Sequence, residues 1–128
     1  MKTCKTVLLL MLTLGLSYAP LLAKRGLPDN VAPVTYQGVR YSAPHWGSQR
    51  PGGGENGGYV EARNAATNQI LWDRQVYKVK RDPRYEDGDQ DVFITSLSVQ
   101  GGKLIVVNER GNRYVVDLRT RKSVKIGR

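Results

Sequence analysis

Gly58-Tyr-Val-Glu-Ala-Arg-Asn64-Ala-Ala-Thr67-Asn-Gln-Ile-Leu71-Trp72 is the stretch whose reading decides the fold. Tyr59, Glu61 and Arg63 alternate with Val60 and Ala62, the period of a strand with one buried face. Asn64 to Asn68 supplies a tight turn. An Asx side chain accepts bonds from backbone N–H groups two or three residues on, and Asn68 tolerates positive φ. From Ile70 to Val79 a second strand follows. Ile70, Trp72 and Val76 fall on one face; Leu71, Tyr77 and Val79 fall on the other. Apolar residues on both faces predict a strand inside the sheet stack and not at its margin.

The pattern returns at Gly111-Asn-Arg-Tyr-Val-Val-Asp117-Leu-Arg-Thr120-Arg-Lys-Ser-Val124. Asn64 aligns with Asp117, 53 residues apart; Gly58 then meets Gly111, Thr67 meets Thr120, and Leu71 meets Val124. Each copy needs a glycine for a left-handed residue, an Asx and a threonine to tie the turn, and an aliphatic residue to return to the core.

Working outward, Val34 to Tyr36 and Gly38 to Tyr41 read as one short strand with a glycine kink. Residues 42–57 carry five glycines and two prolines, which exclude a helix or a central strand. A loop of that length is functional or mobile. Lys80 to Asp91 is a charged connection broken by Pro83 and Gly88, so a helix is not expected there. Val92 to Gln100 alternates, with Phe93, Thr95, Leu97 and Val99 on one face and Ser96 and Ser98 opposite. Gly101-Gly102 is a two-residue hairpin signal, and Lys103 to Val107 is its partner strand. Tyr114, Val116 and Leu118 share a face; Arg113, Asp117 and Arg119 oppose them, with Val115 the apolar exception. Ser123 to Ile126 closes the chain. The sum is an all-β fold: an antiparallel meander of about seven strands in two blade-like repeats, forming a small sandwich or open barrel.

Ahead of this domain, residues 34–128, lie two other segments. Lys2 and Lys5 precede an apolar run from Val7 to Leu16, with small residues after it, which reads as a secretory signal over residues 1–23. Cleavage is placed after Ala23, with Ala19 the competing site. Residues 24–33 carry two prolines and read as a flexible lead-in. The chain is therefore expected to be exported, periplasmic or secreted. The only cysteine, Cys4, falls inside the signal, so the mature chain has no disulfide, thiolate metal site or cysteine nucleophile. All eleven acidic residues follow Ala23 and two of the 20 basic ones precede it, leaving a net charge of +7. Export argues against a nucleic-acid partner for that charge; an anionic envelope component, a membrane surface or an acidic protein patch fits better. A monomer or small homo-oligomer is expected.

The two hairpins resemble the strand-turn-strand of quinoprotein-type (PQQ-like) β-propeller blades. Tyr114 and Asp117 to Thr120 carry the likeness in one copy; Asn64 to Thr67 and Ile70-Leu71-Trp72 carry it in the other. Both copies depart from the family's glycine after threonine, having Asn68 and Arg121. The resemblance implies blade-like repeat units and, by analogy with envelope-assembly proteins built from such repeats, a scaffold role. It does not carry the quinone over. That cofactor sits on the axis of a full ring, and this chain has material for about two blades against the four to eight of a closed propeller. No cofactor is expected.

Few residues suggest chemistry. Asp87, Asp89 and Asp91 are spaced like alternate oxygen ligands of a calcium loop, but Val92 stands where that loop needs glycine and Ser98 where it needs glutamate. No metal is assigned. His45 is the only histidine, and Pro44-His45-Trp46 reads as a loop pinned by a buried indole. No nucleophile elbow, phosphate loop or dinucleotide fingerprint occurs. The reading is a non-catalytic binding module with His45, Trp46, Arg113, Arg119 and Arg121 as its interaction candidates. The alternative is a small enzyme or ligand-binding domain that uses the 44–46 and 86–91 loops as one site. Convergence of those loops on one pocket would favour the alternative.

Overall fold

The structure, a computed structural model, describes residues 26–128. The expected signal segment lies outside the described residues. Among the described residues eight strands form two separate four-stranded antiparallel sheets, each a meander of sequence neighbours. The first holds β1 (Val34–Tyr36), β2 (Val39–Ser42), β3 (Tyr59–Asn64) and β4 (Ile70–Gln75). The second holds β5 (Ile94–Gln100), β6 (Lys103–Asn108), β7 (Arg113–Asp117) and β8 (Ser123–Gly127).

The sheets share one core. Val60 and Ala62 of β3 meet Leu104, Val106 and Val116 of the second sheet, all fully buried, with Tyr41, Ile94 and Leu97 around them. Removing one such aliphatic side chain from water contributes about 1.5–3 kcal/mol. The alternation of β3 thus does what its sequence predicts: Val60 and Ala62 face in, and Glu61 and Arg63 face the other way.

The repeated hairpins occupy equivalent places, joining the third and fourth strands of each sheet. Asn64 Oδ1 accepts from the N–H groups of Ala66 and Thr67, at 2.9 and 3.0 Å. Asp117 Oδ1 accepts from Arg119 and Thr120, at 2.8 and 3.1 Å. Thr67 and Thr120 each accept a bond from the backbone two residues on. Asn68 and Arg121, which stand where the resemblance expects glycine, have φ of 67° and 65°. Two side-chain acceptors and the strand ladder therefore hold residues in a region that an L-residue enters at a cost of about 1–2 kcal/mol.

Several expectations are corrected, among them the exclusion of any helix from residues 42–57, where Gly47–Gln49 forms a 3-10 turn. Residues 34–41 are not one kinked strand but a hairpin, β1–β2, because Gln37 and Gly38 both take positive φ, 49° and 77°, and reverse the chain. β4 is the edge of its sheet and ends at Gln75, so its second apolar face is not covered: Leu71 is 45% exposed. It stops there because its partner β3 begins at Tyr59, opposite Gln75. In β5 a bulge between Ile94 and Ser96 interrupts the alternation. Thr95 points to solvent, Ile94, Leu97 and Val99 join the core, and Phe93 is buried apart from them. Finally, a single helical turn, Asp87–Gln90, forms within the charged connection.

Candidate functional site

The segment 43–57 lies back over the outer side of the first sheet. Arg50 drives this. Its guanidinium sits 3.2 Å from the centroid of the Tyr59 ring and pairs with Asp73 at 3.0 Å, while Nη1 donates to the Gly53 carbonyl. Gln75 Nε2 donates to Glu55 Oε1 at 2.8 Å. Further along, Asn56 Oδ1 accepts from Gly47 N–H and Asn56 Nδ2 donates to Asp91 Oδ2. These bonds replace the water contacts that a glycine-rich loop would otherwise keep, and Glu61 is buried on what sequence periodicity marks as an outward face.

His45 and Trp46 exchange the parts expected of them. The imidazole is the buried ring, at 6% exposure, and the indole is half-buried. Phe93, re-aimed by the β5 bulge, meets both rings edge-on, at 5.0 Å from His45 and 5.4 Å from Trp46. His45 Nε2 lies 2.7 Å from the Asp29 carbonyl oxygen, which can only accept, so Nε2 carries the proton. Nδ1 is buried without a partner among the described residues. The imidazole thus tethers the lead-in through Asp29, while Val31 packs against the core.

Two clefts open on either side of Trp46, which lines both. One, of about 320 Å³, brings Trp46 and Phe93 together with Glu86, Asp89 and Asp91. Of the 44–46 loop only Trp46 reaches the 86–91 loop here; Pro44 and His45 line the other cleft. Asp91 is buried and engaged, accepting from Arg81 at 2.8 Å as well as from Asn56. Among the described residues no group of three histidine, cysteine or acidic side chains is placed to hold a metal ion, Asp87, Asp89 and Asp91 included. The second cleft, of about 420 Å³, lies between the lead-in and the β2–β3 pair; Arg40, His45, Gln49, Glu61 and Arg63 line it.

The basic candidates lie on the other sheet. Arg113 and Arg119 are exposed on and after β7. Arg121 sits 5.1 Å from the Trp72 ring centroid, a cation–π contact between the two repeated hairpins. β8 is an edge strand whose Val124 and Ile126 are 61% and 53% exposed, with Lys122, Lys125 and Arg128 around them. Register places Val124 beside the half-buried Val115 and Val115 beside the buried Ile105, so this apolar row runs across the outer face of the second sheet but is well exposed only at β8. Val115, the exception in the sequence pattern, belongs to it. No helix of the described residues is long and apolar enough to cross a membrane. No protein-family model matches the chain, and no curated protein matches it.

Proposed function

We propose that this protein is an exported, non-catalytic β module that engages an anionic component of the cell envelope through its C-terminal hairpin. The observation that carries this reading is the make-up of β8: solvent-exposed Val124 and Ile126 interleaved with Lys122, Lys125 and Arg128 on a sheet edge. Exposed aliphatic groups among cations suit a surface that is negative and partly apolar. Export belongs to the proposal and rests on the pattern of residues 1–23. The two meanders, each ending in the same Asx–Thr hairpin, support a reading as two quinoprotein-type blades used as a scaffold.

The test is co-sedimentation of the mature chain, residues 24–128, with vesicles. Binding is expected to phosphatidylglycerol vesicles and not to phosphatidylcholine vesicles, to weaken with salt, and to vanish when Lys122, Lys125 and Arg128 are all changed to Glu. Equal binding to both vesicle types, or indifference to the charge reversal, refutes the reading.

One observation favours a second reading, a ligand-binding domain: Trp46 and the 86–91 loop do share a cleft. Its aromatic and carboxylate walls suit a small organic cation. Tetramethylammonium raising the melting temperature would support it, since a ligand held only by the folded state stabilises that state; an unchanged melting temperature would count against it.

A further inference from the structure

The cleft on the lead-in side of Trp46 has an unbalanced charge. In the β2–β3 ladder Arg40 stands directly opposite Arg63, and Ser42 opposite Glu61. Like charges directly opposed across strands destabilise a sheet. One of the two is neutralised: Arg63 Nε donates to Glu61 Oε1 at 2.5 Å, and the Glu61 carboxylate is itself buried. Arg40 is not. Among the described residues its one hydrogen-bond partner is the neutral side-chain amide of Asn68, which accepts from Nη2. The Asn68 carbonyl oxygen accepts from Arg63 Nη1 at 3.0 Å, so one left-handed turn residue holds both guanidiniums in place. The result is a half-buried cation, positioned in advance, among the residues that line a cleft of about 420 Å³. Cavities that hold small ligands run from about 300 to 1,000 Å³.

We propose that this cleft binds a small organic anion, a carboxylate or phosphate monoester carrying a flat ring. Arg40 is its charge partner. A guanidinium presents a fork of N–H donors that matches two oxygens of a carboxylate or phosphate. The half-buried Trp46 indole, together with Pro44 and Val31, forms the apolar wall for the ring, and Gln49 stands at the same opening. The site is independent of the C-terminal hairpin, which lies on the other sheet.

Because the chain has two tryptophans, nitrogen-edited NMR of the full chain gives two indole signals: Trp46 lines the cleft, and Trp72 lies in β4. The probes are benzoate and phenyl phosphate, with benzyl alcohol as the uncharged match and inorganic phosphate as the ringless one. Benzoate or phenyl phosphate is expected to move the Trp46 signal alone, in a saturable way, and to bind about tenfold or more tightly than benzyl alcohol. Whichever of the two binds more tightly assigns carboxylate or phosphate as the ligand head. Arg40→Gln is expected to remove that advantage, Arg40→Lys to reduce it in part, and Arg119→Gln to leave it unchanged. The proposal is overturned if neither anion outbinds benzyl alcohol, if inorganic phosphate binds as tightly as phenyl phosphate, or if both Arg40 variants keep wild-type affinity.

Discussion

The internal repeat allows a steric effect to be separated from a conformational one. Gly58 and Gly111 are aligned, and both have φ of 78°. Their surroundings differ. A Cβ on Gly111 would meet nothing within 4 Å, whereas one on Gly58 would lie 2.7 Å from the Tyr77 carbonyl oxygen and 3.4 Å from the Tyr77 ring. Holding alanine in the left-handed region costs about 1–2 kcal/mol. Restricting the unfolded chain returns about 0.4–1 kcal/mol. Gly111→Ala should therefore destabilise by about 1 kcal/mol in all. Gly58→Ala carries the same conformational cost and adds an overpacking cost of about 1–3 kcal/mol, because the atom in the way is backbone and cannot rotate aside. The expected total is about 2–4 kcal/mol. Urea unfolding with an unchanged m value gives both numbers. For a domain of this size each kcal/mol lowers the melting temperature by about 4–8 °C. Equal losses for the two variants would show that the Tyr77 contact is not what makes Gly58 necessary.

Other outcomes follow from the same structure. Leu104→Ala, at a site with no exposure, should cost about 2–5 kcal/mol in urea unfolding. The Asp117 carboxyl is held below the usual carboxylate range by the N–H groups of Thr120 and Arg119 and by Lys103. Its contribution is complete above the unfolded value of about 3.9 and is lost as pH falls through the lower folded value, so Asp117→Asn should flatten the acid limb of a melting-temperature profile. Burial, and then the Tyr114 phenol, push Tyr77 above the ordinary tyrosine range. The stability this gives is present below about pH 10 and fades as pH rises toward the folded value. Tyr77→Phe, which loses the 2.6 Å bond to the Val92 carbonyl, should destabilise by about 1 kcal/mol at neutral pH and remove that alkaline loss in the same profile. Arg50→Ala should release the segment over the first sheet and make residues 51–54 the first site of limited proteolysis.

What the sequence showed depended on how local the cause was. The face of β3, the Gly101-Gly102 turn and the two Asx–Thr hairpins rest on neighbours within a few residues, and they fold as expected. The β1–β2 hairpin was hidden because Gln37, a residue with no marked turn preference, shares the reversal with Gly38. The β5 bulge leaves no mark in composition, yet it decides where Phe93 goes. The cleft residues were the least legible. Arg40, Glu61 and Arg63 look like ordinary solvated positions on their own strands. Register and the fold-back of residues 43–57 bring them together, and both are set by contacts far apart in sequence. His45 stands out as the only histidine, but its burial comes from Phe93 and Asp29, which no local pattern links to it.

The sheet order carries a kinetic consequence. Every strand pairs with the strand next to it in the chain, so each half can zip up through short loop closures, which are fast and entropically mild. Bringing the halves together across residues 76–93 is the slow, long-range step. Core substitutions such as Leu104→Ala, which touch that docking and not the zipping, should act mainly on how long the assembled pair survives before it comes apart.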